Sequence, residues 1–372
     1  MKKINLSIYK QTKVYFILFD YLLKDLSINK ESYLIMNNIS PSSYRRARKE
    51  EQKIGLEIKN ELTKKFEKNK ISDELIDEIE KRFNDIYYSV YYKIYDKYEE
   101  DLKYLDDLLE KEYIIFPIIK LFKLFMIMND NSDAKKLVNS NSDLFIEIMK
   151  YKEFYTEELK EICELLEIVF EEKSCEIYMG KKYDNGMNYY ALSSNLWRKK
   201  KYIESLYFAK IGKEKFIQDG NYKRVFHINH NIMNSLVSIG NYEECYEMAL
   251  QAKRAVKSLE IKGYLEKSVN HFIVISGIPL KKYQDIIDFT KDSSTVTMTI
   301  AIGIMISKYF TDKNQYNNYL LDLNIDELEN DFKQDIINID LFLKEKNKKY
   351  LNKLSDQVAI NLVNVLKKLD FN

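Results

Sequence analysis

The feature that most constrains this chain is a recurrence of about 40 residues. Tyr202, Tyr242 and Tyr283 open three alignable segments, KKYIESLYFAK from Lys200, GNYEECYEMALQAK from Gly240 and LKKYQDIIDFTK from Leu280. Ser205, Cys245 and Ile286 follow three places on, and the small residues Ala209 and Ala249 come next in register. A second set leads each segment: Asn188, Asn229 and Asn270 are spaced by 41 residues, as are Ser194, Ser235 and Ser276. Self-similarity at this length, with helical periodicity on either side of a short turn, predicts stacked helical hairpins, in which each unit buries its apolar face on the next. Gly220-Asn221 and Gly263 fall where such hairpins would be joined.

Composition agrees with helices. Only 3 Pro and 9 Gly occur in 372 residues, too few for a sheet built on tight turns. The 30 Tyr sit largely at helical spacing, and Tyr87, Tyr88, Tyr91, Tyr92, Tyr95 and Tyr98 predict one aromatic stripe on a connector running from Ser72 to Tyr113. The apolar run Ile114–Met128 is interrupted by Lys120 and Lys123, and Thr295–Ser307 is shorter than the roughly 20 residues needed to span a bilayer, so both predict buried helices. Cys163, Cys175 and Cys245 have no paired spacing and read as reduced thiols of a cytoplasmic protein.

The N-terminal region reads differently. Residues 13–27 form a first helix. Asn29 caps a second helix with Leu34 and Ile35 on its inner face, and Asn37-Asn38 makes a turn. Ser40 then caps a third helix whose first residue is Pro41, where a missing N–H is harmless. Between Pro41 and Lys53 stand five cations (Arg45, Arg46, Arg48, Lys49, Lys53) against Glu50 and Glu51, although the whole chain carries a net charge of only +1. Tyr44 and Ala47 are expected to pack inward. Gly55 marks a break before a further helix, Leu56–Phe66. A capped helix that offers Ser and Arg at its start is how a recognition helix meets a major groove. Ser42, Ser43, Tyr44, Arg45, Arg46, Arg48 and Lys49 are therefore the candidate DNA-binding residues.

Within the repeats, a register-matched row of carboxamides could hold an extended peptide through both sides of its backbone. It could equally bridge neighbouring hairpins. The candidate peptide-binding set is Asn188, Asn229, Asn270, Ser194, Ser235 and His230. His227, His230 and His271 lack the carboxylate or thiol company a metal site needs. No cofactor motif or nucleophile constellation is present, so an enzyme is not expected.

The stretch ISPSSYRRARKEEQ (residues 39–52), followed by the Asn-bearing repeats, resembles the RNPP family of peptide-sensing, quorum-sensing regulators of Gram-positive bacteria. It is similar also to the arbitrium receptors of phages. That resemblance implies an all-α chain: a helix-turn-helix domain over 1–68, connector helices over 69–112, and a right-handed tetratricopeptide-like superhelix over 113–372. It implies a cytoplasmic homodimer that binds double-stranded DNA and a short signalling peptide, the peptide controlling operator affinity, with no membrane association. The alternative is a helical-repeat adaptor that binds a partner protein in place of DNA.

Overall fold

The computed structural model describes residues 3–48, 69, 71–93, 97–130, 134–171, 184–258, 264–290, 297–322, 330–355, 358 and 360–369. Among the described residues the regular elements are all helical, and the sole β-type pairing is an isolated bridge between Asn69 and Tyr113. Consecutive helices pack on one another. Two compact units emerge, Met1–Asn195 with Glu214–Arg224, and Leu196–Lys213 with Val225–Asn372.

The first unit begins with a 3-10 turn, Ser7–Lys10, then α1 (Thr12–Asp25), α2 (Lys30–Met36) and α3 (Pro41–Arg48), which pack together. Asn29 caps α2 by accepting the Ser32 N–H, and Asn38 closes the turn with a left-handed backbone, φ 56°. Helices α4 (Asp73–Tyr92), α5 (Tyr98–Glu110), α6 (Phe116–Asp130), α7 (Ala134–Lys150) and α8 (Glu157–Phe170) follow. The start of α4 is set by Ser72, which accepts the Leu75 N–H, with Asp73 and Glu74 favourable at the positive end of the helix. Its end comes at Lys93, where the backbone turns left-handed at φ 56°. The long connector is thus a pair of helices.

Helix α6 is the centre of this unit, its apolar run buried and its two lysines, Lys120 and Lys123, paired outward with Glu147 and Asp106. Ile118, Ile119, Leu121, Phe122 and Leu124 are buried, and Phe122 stacks on Phe83 of α4 at 4.0 Å. The tyrosines of α4 do not share one environment. Tyr87 and Tyr91 are buried, whereas Tyr88 is exposed and meets Tyr92 at a tilt, ring centroids 4.5 Å apart. The N-terminal arm is stapled to α4: Asn84 exchanges two hydrogen bonds with the Ile4 backbone, and the Leu6 N–H donates to Glu80 at 2.7 Å.

The remaining helices are α9 (Gly186–Arg198), α10 (Tyr202–Gln218), α11 (Tyr222–Ile239), α12 (Tyr242–Ser258), α13 (Tyr264–Gly277), α14 (Tyr283–Thr290), α15 (Met298–Thr311), α16 (Lys313–Asp322), α17 (Asn330–Glu345) and α18 (Ile360–Lys367). The recurrence read from sequence has a backbone cause. Lys200, Gly240 and Lys281, each two residues before the repeated tyrosine, all adopt left-handed angles. Each turn makes the same pair of hydrogen bonds, for example Gly240 N–H to Val237 C=O and Asn241 N–H to Leu236 C=O. That is a Schellman ending, which stops one helix and aims the next. Ser205, Cys245 and Ile286 are buried, as are Ala209, Ala249 and Thr290.

In the second unit the hairpins are bonded in two rows. Among first helices, Trp197 Nε1 donates to Ser238 Oγ at 3.0 Å, and His230 Nδ1 meets Ser268 Oγ at 2.6 Å. Among second helices, Lys210 pairs with Glu244 at 3.1 Å and the Tyr246 hydroxyl donates to Asp285 at 3.0 Å. Helix α15 is buried along Thr299–Ser307, and Gly303 lets it approach α13. Helix α18 packs on α13 and on the 3-10 stretch Lys348–Lys353.

Candidate functional site

Helix α3 is held by one side chain. Tyr44 is 1% exposed, its ring meets Phe16 of α1 edge-on at 5.0 Å, and its hydroxyl reaches Asp20 at 2.8 Å and the Phe16 carbonyl at 3.1 Å. Lys30 of α2 completes the knot, pairing with Asp20 at 3.0 Å and lying over the Tyr44 ring at 5.3 Å. A buried phenol with a satisfied hydroxyl locks three helices in one arrangement. It also removes Tyr44 from the candidate DNA contacts, because a residue so enclosed cannot reach a groove.

The other side of α3 is turned outward. Ser42, Arg45 and Arg46 are exposed, and spacings of three and four residues put them on one helical face. Ser40 Oγ accepts the Ser43 N–H at 3.0 Å and hydrogen-bonds with the Ser42 and Ser43 hydroxyls, both at 2.9 Å. The result is a helix N-terminus with hydroxyls and two guanidinium groups one turn in, chemistry that suits phosphate oxygens and guanine edges. Lys49, Lys53, Gly55, Leu56–Phe66, Tyr95, Cys175 and Gly263 lie outside the described residues, as do the side chains of Ala47 and Arg48. One expectation is corrected beside this face. Leu34 is buried, but Ile35 is 65% exposed and Met36 82% exposed, because α2 is too short to bury both flanks against α1 and α3.

The peptide-binding candidates divide. Asn188 is 1% exposed and Asn270 0%, so neither side chain presents itself to a ligand here. Asn229 is half-buried, and its Oδ1 is enclosed without accepting a hydrogen bond. The three serines answer to their own helices: Ser194, Ser235 and Ser276 donate to the carbonyls four residues back, of Tyr190, Asn231 and Phe272. Ser235 also bonds Ser205 at 2.9 Å across a hairpin. Each hydroxyl thus gives its one proton to its own helix and keeps only its acceptor capacity. Besides Ser268, His230 meets Phe272 edge-on at 5.0 Å, and burial pushes its pKa down to about 4. His271 is lowered to about 4 by burial first and by His230 second. Neutral histidines in this setting pack. Among the described residues no cluster of His, Cys, Asp or Glu could hold a metal ion.

One cluster escaped the sequence reading. Arg224 is buried, its Nε and Nη2 donating to the Tyr91 and Val90 carbonyls at 3.1 and 2.6 Å, while Asn221 Nδ2 donates to the Tyr91 carbonyl at 2.7 Å. The C-terminal carbonyls of α4 are thus clasped by the turn between α10 and α11. A cation is favourable at that negative helix end. Gly220-Asn221 marked the turn in the sequence, but nothing local signalled a partner more than 120 residues away.

No helix among the described residues is long and apolar enough to cross a membrane. In comparisons with known proteins, no family model, no curated protein and no solved structure matches this chain.

Proposed function

We propose that the chain is a DNA-binding regulator in which α2 and α3 form a helix-turn-helix and the hairpins of α9–α14 form a tetratricopeptide-like ligand receptor. The observation that carries the reading is the outward face of α3. Ser42, Arg45 and Arg46 share it, and Tyr44 fixes that face from behind. With a net charge of only +1, attraction to a polyanion must come from such a local patch. Two copies would place two such helices on successive major-groove faces of a two-fold site.

For the receptor half, the support is the row of bonded first helices and Asn229, the one asparagine of the repeated row that is half-buried and not fully enclosed. A short peptide supplies hydrogen-bonding partners for such a carboxamide along its backbone.

The test is footprinting of the purified full-length chain on genomic fragments of its source. Protection of discrete, two-fold-symmetric sites, weakening steeply with salt, is expected. Protection of none at low salt rejects the regulator. The adaptor reading has one observation in its favour: Ile35 and Met36 form an exposed apolar edge on α2, which suits a protein surface better than a phosphate backbone. Co-purification of a partner lost in Met36→Asp, with no DNA protected, would select it.

A further inference from the structure

Three helix ends of the second unit close on lysine where the backbone favours glycine. Lys200, Lys281 and Lys346, which follow α9, α13 and α17, hold left-handed angles of φ 61°, 56° and 54°. Glycine takes such an angle without strain, as Gly240 does after α11. Backbone geometry therefore does not account for these lysines.

The ends lie side by side. Trp197 bonds Ser238 at 3.0 Å, each one residue from the end of its helix, and Tyr246 of α12 reaches Asp285 of α14. Tyr283, which opens α14, stacks on Phe310 of α15 at 4.9 Å, and the Tyr309 hydroxyl donates to the Leu343 carbonyl of α17 at 3.0 Å. With neighbouring helices roughly 8–10 Å apart, the ends of α9, α11, α13, α15 and α17 make a rim about 30–40 Å long.

That rim is strongly basic. Arg198–Lys201 and Lys344–Lys353 hold nine cations against one anion, Glu345, and all nine are exposed. Lys281, Lys282 and Lys313 are exposed between them. Carboxylates of the rim are turned to internal partners: Glu244 to Asn241 and Lys210, Asp285 to Tyr246, Asp312 to the Asn314 N–H and Glu345 to the Tyr350 hydroxyl. Lys344 and Lys349 also pair locally, with Asp340 and Glu345, at exposed positions where such pairs are weak. A cation complements the negative end of a helix, but a single one does that, and Lys348, Lys349 and Lys353 stand beyond α17 altogether.

We propose that this rim binds the phosphate backbone of duplex DNA without reading its sequence. Lysine suits the task, being a hydrated point charge on a flexible stem that lacks the fork with which arginine reads guanine. The length of the rim matches about ten base pairs. Tyr350 and Leu351 are buried within the densest cationic run, so that stretch has little to insert into lipid. Ile203 and Ile239, exposed toward the other end, are the case for a membrane surface, and the test includes it. The proposal goes beyond the recognition reading of α3 and does not depend on it.

The experiment uses the full-length chain carrying Arg45→Ala/Arg46→Ala, so that the guanidinium groups of α3 contribute nothing. A fluorescein-labelled duplex of random sequence is followed by anisotropy across roughly 50–200 mM salt. Adding Lys200→Gly/Lys281→Gly/Lys346→Gly removes three rim charges at positions where glycine relieves the backbone. Affinity at the lowest salt should fall at least about tenfold, and the slope of log affinity against log salt should drop by about 2–3. Should that variant lose its helical circular dichroism, Lys201→Gln/Lys282→Gln/Lys348→Gln takes its place with the same expectation. Unchanged affinity and slope in a folded variant, no uptake of duplex by the parent, or sedimentation with phosphatidylglycerol vesicles in preference to duplex overturns the proposal. Rim-dependent binding would stand even with no operator found, and an operator bound without dependence on these lysines would leave the regulator standing and the rim rejected.

Discussion

Gly303 of α15 packs against Val274 of α13, and a Cβ added there would lie 2.4 Å from Val274 Cγ1 and 2.8 Å from Cγ2. Carbon atoms ordinarily meet at about 3.5–4.0 Å, so both methyls are overlapped. Val274 is fully buried and β-branched, with one strongly preferred rotamer in a helix, so it cannot turn aside. Two terms therefore compete in Gly303→Ala. Alanine gains about 1 kcal/mol of helix propensity. Overpacking costs about 1–3 kcal/mol, and two clashing methyls put this site at the upper end. The net expectation is destabilisation by about 1–2 kcal/mol. Val274→Ala alone removes two buried methyl groups and costs about 2 kcal/mol. In the double variant the methyl added at position 303 occupies part of the vacated space, so a favourable coupling of roughly 2 kcal/mol is expected in place of additivity. Urea unfolding followed by far-ultraviolet circular dichroism measures all three. Additive changes, or a Gly303→Ala variant more stable by the helix gain alone, would refute the close-approach argument.

The left-handed turns and the buried histidines give further expectations. Lys200 and Lys281 hold left-handed angles that favour glycine, so Lys200→Gly and Lys281→Gly should each stabilise by about 0.5–1 kcal/mol in thermal unfolding, whereas a loss would mean that the lysine side chains carry the turn. His230 and His271 have folded pKa values of about 4, below the unfolded value of 6.5, so the unfolded chain binds more protons between them. Their contribution is complete above pH 6.5 and is lost as pH falls from 6.5 to 4. His230→Gln/His271→Gln should flatten that part of the stability profile, and an unchanged slope would assign acid sensitivity elsewhere.

Much of this architecture was legible because it is periodic. The recurrence of Tyr202, Tyr242 and Tyr283 located the hairpins, and Ser40-Pro41 located the start of α3, since caps and turns are decided within a few residues. The turns themselves were less legible: two of the three repeated left-handed positions are Lys, where a glycine would have marked the helix end. The asparagine row shows another limit. A spacing of 41 residues fixes height along successive helices but not rotation about each axis, and the observed rotation buries Asn188 and Asn270. Contacts such as Arg224 to Val90 and Asn361 to Asn234 span more than 120 residues and leave no local trace.

The central claim concerns the outward face of α3, and Arg45→Ala/Arg46→Ala tests it most directly. Both side chains are exposed, so the variant should keep the wild-type circular dichroism and unfolding midpoint. Binding to a duplex selected by the wild-type protein, titrated by anisotropy across salt concentrations, should fall sharply, with the salt slope reduced by about 1–2. Undiminished affinity and an unchanged slope in a folded variant would contradict the account.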